Sequence, residues 1–250
     1  MIKSEAYFTE KNLFEFYSKF GEIEGVESKD SGQLRFINKS SGDWPSFILN
    51  KSFDKEYDTS GFYTDITIDN KSKYLILNSE FAIGISDELK KMKYVPIRSW
   101  TGMYAIFSEK SNINIRDFEI KRIADSENLE NWIQILNETT FKTEKLLREI
   151  ISPLLSDSRF TLFVGYHKEQ PTATALSFFD GNTVGLFMIA TAEKQRNKGF
   201  GSAITAHAID FAINRNQFKF VLHATKNGEK IYRKLGFNEN CKFYIFAKPN

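Results

Sequence analysis

Cysteine is nearly absent from this chain, with Cys241 alone in 250 residues. A lone thiol can close no internal disulfide and build no cysteine-rich zinc site, so packing must hold the fold, and a reducing compartment suits it. Histidine is almost as scarce. His167, His207 and His223 show neither His-x-x-x-His nor another metal-ligand spacing, so they read as packing residues and no metal is expected. A dominant sign of charge is missing too. The 34 basic and 32 acidic side chains leave +2, too little field for a nucleic-acid or membrane surface, so any polyanion bound must be small and locally held. No apolar run approaches the roughly 20 residues of a spanning helix, and the longest, Val184 to Ala192, has the length of a strand. Charges at Lys3, Glu5, Glu10, Lys11 and Glu15 break the amino terminus before a signal peptide can form. The expectation is a cytoplasmic protein with no membrane partner.

What the chain does have is ample core material. Apolar side chains make up 41% of it before its 14 glycines are counted, which excludes disorder throughout. Twenty-four phenylalanines and ten tyrosines are many for this length, and core filling is their ordinary role. In the second half, Ser126 is a candidate cap for a helix carrying Leu129, Trp132, Ile133 and Leu136 at helical spacing, and Thr143 to Leu155 predicts a second helix. Three β-rich runs follow, at 160–167, 172–179 and 183–192, joined by Lys168-Glu169-Gln170-Pro171 and Asp180-Gly181-Asn182, an antiparallel meander. A helix with Phe200, Ile204, Ala208 and Phe211 on its apolar face comes next. After it are a strand at 218–223, a short helix from Asn227 closed by Gly236, and a strand at 243–247.

The first half predicts a helix around Leu13–Phe20 and strands at 32–39, 45–51, 62–68 and 73–77. Its end, 87–94 followed by 104–107, echoes 229–237 followed by 244–246, as an internal duplication would. A polar cluster from Ser108 to Asn114 marks the boundary, dividing the chain into domains at 1–110 and 115–250.

The most informative stretch is Arg196-Asn197-Lys198-Gly199-Phe200-Gly201, between a strand and a helix. Unsatisfied N–H groups and the positive end of the helix dipole favour an anion there. Gly199 and Gly201 let phosphate oxygens approach the main chain, while Arg196 and Lys198 add charge at the rim. Competing motifs fail on spacing: no Gly-Lys-Ser/Thr completes a P-loop, Ile204 stands where a dinucleotide fold needs its third glycine, and no Gly-x-Ser-x-Gly elbow is present.

In this setting the loop resembles the Arg/Gln-x-x-Gly-x-Gly/Ala phosphate loop of the GNAT acyl-coenzyme A transferases, and the approach Ile189-Ala190-Thr191 is similar too. A second likeness follows in order: Leu222-His223-Ala224-Thr225, then Asn227, then Tyr232-Arg233-Lys234-Leu235-Gly236-Phe237, similar to the family's strand, asparagine and Tyr-x-x-Leu-Gly-Phe helix end. The similarity spans 115–249. Glu193 stands where many members carry proline, and it is expected to matter little because it precedes the nest.

The resemblance implies an α+β, acyl-CoA N-acyltransferase fold, a central mixed, mostly antiparallel sheet flanked by helices. The first α/β domain is then either a degenerate GNAT-like lobe, as in tandem members, or an unrelated region. It further implies an N-acetyltransferase that moves the acetyl group of acetyl-CoA to a primary amine on a small molecule or peptide. Met188, Ile189, Ala190 and Thr191 would pair with the pantetheine arm. Arg196, Asn197, Lys198, Gly199, Phe200, Gly201 and Ser202 would hold the pyrophosphate, with Asn227 on the far side. Tyr232 would be the general acid, its phenol being close in pKa to an alkyl thiol, and either Glu138 or a water chain would be the base. A coenzyme A sensor without turnover and an aminoacyl transferase using charged transfer RNA are the alternatives. The acceptor and the oligomeric state are not written in these motifs.

Overall fold

A computed structural model describes residues 3–39, 44–51, 62, 66, 72–111 and 113–249. They fall into two compact units, neither of them one continuous piece of chain: residues 1–103, 224–227 and 239–250 in the first, 104–223 and 228–238 in the second.

The first unit opens on helix α1 (Glu5–Ser18), capped by Ser4, whose hydroxyl accepts the Tyr7 amide at 3.2 Å. Its sheet then runs β1 (Val26–Ser31), β2 (Leu34–Lys39), β3 (Ser46–Asn50) and β4 (Tyr74–Asn78). The first two pairings are antiparallel and β3 with β4 is parallel. Two short helices follow, α2 (Ser79–Gly84) and α3 (Ser86–Lys91), then β5 (Val95–Ile106), whose last residues lie in the second unit. The chain's final strand, β11 (Asn238–Ala247), pairs antiparallel with β4 from Phe243↔Asn78 to Ala247↔Tyr74 and so belongs to this unit. Leu34, Ile48, Leu75, Leu77, Phe81, Ile85 and Phe246 form its core. Of the strand predicted at 62–68, Phe62 and Ile66 are helical and buried, and the rest lies outside the described residues.

The second unit begins with the end of β5, followed by β6 (Phe118–Arg122) and α4 (Ser126–Thr139). Asp125, not Ser126, caps α4, accepting the Asn128 amide at 2.8 Å. The fully buried Trp132 ties the helix to the sheet by donating from Nε1 to the Ala175 carbonyl. The helix predicted from Thr143 starts only at Arg148: α5 (Arg148–Ile151) runs into a 3₁₀ turn, Ser152–Ser156. Asn137 explains the delay, because its side chain bonds both the N–H and the C=O of Leu146 and holds 140–147 in a loop.

Then come β7 (Phe160–His167), β8 (Gln170–Phe179) and β9 (Val184–Thr191), an antiparallel meander that extends to β6 on its outer side. Positive φ at both Lys168 and Glu169 makes the first turn a primed two-residue hairpin, so β8 starts at Gln170. α6 (Phe200–Ile213) carries the chain to β10 (Lys219–Ala224), which pairs parallel with β9. α7 (Glu229–Leu235) ends at Gly236 in the left-handed region, φ 102°. The result is a mixed, mostly antiparallel sheet flanked by helices. In both units an antiparallel meander leads into a parallel pair, β3 with β4 and β9 with β10. The echo between 87–107 and 229–246 falls on α3–β5 and α7–β11.

Candidate active site

The site is built on a break in regular pairing. Along β9 the register with β8 slips by one residue: Leu176 faces Phe187, but Thr174 faces Ala190. Met188 and Ile189 form the bulge, with Met188 forced to φ 49°. A methionine there is strained, and the Thr174 hydroxyl holds the geometry by donating to the Met188 carbonyl at 2.8 Å. On the opposite edge the parallel ladder with β10 ends at Leu222↔Leu186, so Phe187 to Thr191 run on beyond it. The bulge turns the backbone of Met188, Ile189, Ala190 and Thr191 at the place where the two strands stop pairing. That opening can take an extended, amide-bearing chain as a ligand strand.

Beyond β9 a short 3₁₀ turn, Glu193–Gln195, leads to four exposed residues, Arg196, Asn197, Lys198 and Gly199. Asn197 (φ 63°) and Gly199 (φ 86°) both adopt left-handed backbone, and Gly199 is the residue from which α6 starts. No side chain caps this helix and its first turn carries no acid, so the amide groups of Phe200, Gly201 and Ser202 open the helix without a protein anion against them. Phe200 is buried against Phe118 and His167, at 4.7 and 4.9 Å between ring centroids, and anchors the helix start. A Cβ on Gly201 would lie 3.3 Å from Thr191 Oγ1, so a side chain there presses on Thr191 and narrows the cradle. Arg196 donates from Nε to the Thr191 carbonyl, and Lys198 from Nζ to the Gln195 side chain, which holds both cations on the loop.

Glu193, expected to matter little, is the centre of a small charge cluster: Lys142 Nζ lies 2.6 Å from its carboxylate and an Arg196 nitrogen 3.9 Å away. Lys142, then Arg196, hold its carboxyl below the usual range. The sequence does not show this tie, because Lys142 is 51 residues from Glu193 in the chain.

Tyr232 is buried on α7, 9% exposed, with its ring edge-on to Phe237 at 6.2 Å. Burial pushes its phenol well above the ordinary tyrosine value, so it keeps its proton through neutral and mildly alkaline pH. Glu138 is exposed near the end of α4 and accepts from Gln134 at 2.8 Å. Asn227 lies on an exposed turn ahead of α7, which begins at Glu229 and not at Asn227 as the periodicity predicts, and it belongs to the first compact unit. The histidines pack against rings: His167 on Phe200, His207 on Phe163, His223 on Phe187. Among the described residues no group of three His, Cys, Asp or Glu could hold a metal ion, and no helix is long and apolar enough to cross a membrane.

Comparison with known proteins now places this geometry. Residues 126–237 match the model of the acetyltransferase (GNAT) family, and that segment contains the bulged strand, the loop and Tyr232. Across its whole length the chain has the fold of a GCN5-related N-acetyltransferase from Kribbella flavida, with TM-score 0.76 at 13% identity, covering 100% of this chain and 97% of that one. A tandem GNAT protein from the clavulanic acid biosynthesis pathway superposes with TM-score 0.61 at 9% identity, covering 91% and 85%. A GCN5-related N-acetyltransferase from Sphaerobacter thermophilus does so at 0.63, 11% identical, covering 89% and 82%. A search of the curated proteins finds no match.

Proposed function

We propose that this protein transfers the acetyl group of acetyl-CoA to a primary amine by direct attack on the thioester. The observation that carries the reading is the bulge at Met188, set where the β9–β10 ladder ends and followed directly by an uncapped helix start at Gly199. Those features supply what a pantetheine diphosphate needs: main-chain partners for its amides, then converging N–H groups for its phosphates. Met188 to Thr191 serve the first role and Arg196 to Ser202 the second. A bulge amide near Ile189 polarises the thioester carbonyl. Tyr232 gives its proton to the departing thiolate, and Glu138 or water takes one from the amine. Asn227 is assigned to the cofactor's far side by its place in the motif. The acceptor is a small-molecule or peptide amine, and the setting is cytoplasmic.

Acetyl-CoA at about 100 times its dissociation constant should stabilise the protein by about 2.7 kcal/mol. A thiol-release assay over an amine panel then reads turnover. An unmoved melting temperature would sink the reading, while stabilisation without thiol release from any amine would favour a coenzyme A sensor.

A further inference from the structure

A cavity in the second unit lies where the segment before β6 folds across α6. Its volume is about 170 Å³. At about 30 Å³ per water that is room for several waters, or for a compound of about half a dozen heavy atoms. Ala203, His207 and Asp210 of α6 form one side, and Ile113 and Asn114 of the crossing segment and Ile120 of β6 the other. The crossing segment is fixed to the helix by one residue: Ser111 donates its amide to Asp210 Oδ1 at 2.8 Å and its hydroxyl to Oδ2 at 3.2 Å.

Those two bonds use about half the acceptor capacity of a carboxylate, and the remaining lone pairs belong to the only formally charged side chain among the described residues lining the cavity. Burial lowers the pKa of His207, so near neutral pH its imidazole is uncharged, with one donor and one acceptor nitrogen. Asn114 adds an exposed amide. One carboxylate, one neutral imidazole and one amide suit a ligand with a single positive charge and a hydroxyl or amide group. The set is too poor in ligating groups for a metal ion.

We infer that this cavity is a binding site for a small organic ammonium compound, held by Asp210 and oriented by His207 and Asn114. Its walls touch the residues that shape the loop. Ile115 packs where a Cβ on Gly199 would lie, 3.3 Å from its Cδ1, and the Phe118 ring is tilted against Phe200 with centroids 4.7 Å apart. A bound ammonium compound that stiffens the crossing segment therefore stiffens the start of α6. This coupling rests on the proposed use of that helix start by acetyl-CoA; the binding itself does not.

The test is a titration of the full-length protein with 4-aminobutan-1-ol, following the His207 imidazole resonances, with 1,4-butanediol as the neutral control. The amine should shift His207 saturably and bind at least about tenfold more tightly than the diol, the size of effect one charge-assisted contact gives. Asp210→Asn should remove that preference. Ile113→Trp, made at a position 42% exposed, should block the cavity and abolish the shift with the melting temperature unchanged. If Asp210→Asn unfolds the protein, the Ile113→Trp variant still decides. Equal binding of amine and diol, or an Ile113→Trp protein that still shows the His207 shift, overturns the proposal. A shift that persists while acetyl-CoA affinity stays unchanged on adding the amine overturns only the coupling.

Discussion

Asn50 accepts the backbone amide of Asn78 on its side-chain oxygen at 3.0 Å, and so extends the β3–β4 pair of the first unit one step past its ladder, which ends at Leu49↔Ile76. The corresponding parallel pair in the second unit, β9 with β10, stops at Leu186↔Leu222 and opens. Asn78 in turn caps α2 through the Phe81 amide, and the space lined by Glu10, Asn50 and Asn78 is about 10 Å³, no more than one water. One unit has closed with side chains the gap that the other keeps.

From this contrast, calorimetric titration with acetyl-CoA should saturate at one equivalent per chain. Two equivalents of similar affinity would show that the Asn50–Asn78 closure opens on binding.

Gly201→Val should raise the KM for acetyl-CoA by at least about tenfold, since its side chain meets Thr191 and fills the space the phosphate needs. Position 201 is half-buried at a helix start, so the melting temperature should move little. A KM within twofold of the parent would remove the loop from the cofactor site.

Tyr232→Phe keeps the ring and its contact with Phe237 and removes only the hydroxyl. The expected result is a fall in kcat of about 10²- to 10⁴-fold with acetyl-CoA affinity unchanged. Because burial holds the phenol above its ordinary pKa, the pH–rate profile should show no loss of a required acid between pH 7 and 9. An unaltered kcat would make Tyr232 a packing residue.

Glu10 predicts a pH dependence of stability. Burial, opposed by a hydrogen bond from the Asn78 side chain and aided by Glu80, raises its pKa from 4.5 to about 7. The unfolded chain gives up this proton at lower pH than the folded one. Glu10 therefore contributes fully below about pH 4.5, and its contribution is lost as pH rises through 7. The loss is about 3 kcal/mol at 1.36 kcal/mol per unit. Denaturant titrations at pH 5 and pH 8 on the parent and on Glu10→Gln measure it: the parent should lose stability toward pH 8 and the variant much less. Equal slopes would disprove it.

Phe107 follows the end of β5. Its ring lies 5.6 Å from that of Phe220 and 5.3 Å from that of Phe237, and its amide bonds the Phe218 carbonyl at 2.9 Å. Phe107→Ala should cost about 3 kcal/mol, and a fragment starting at residue 115 should lack a cooperative unfolding transition. A fragment that melts as sharply as the intact chain would refute this.

Much of the second unit could be read from its residues, because the meander, the loop and the α7 end carry strong turn chemistry. Lys168-Glu169, Asp180-Gly181 and Gly236 fall at the turns and cap they predict. The bulge could not be read, since Met188 and Ile189 are ordinary strand formers and the slip depends on Thr174 across the sheet. β1 was invisible for another reason: Val-Glu-Ser-Lys-Asp-Ser has no apolar alternation, being a largely exposed strand. β5 begins with five exposed residues, so only its buried end resembles a strand in the sequence. β6 does alternate, Phe118 and Ile120 against Glu119 and Lys121, but five residues are too short a run to have been read as a strand.

The membership of β11 in the first unit bears on synthesis. While the polypeptide is still emerging from the ribosome, the edge of β4 waits for residues 243–247, which are made long after it. The amino-terminal half can finish folding only once that distant strand has emerged, and until then it presents an unpaired strand edge that a chaperone would have reason to cover.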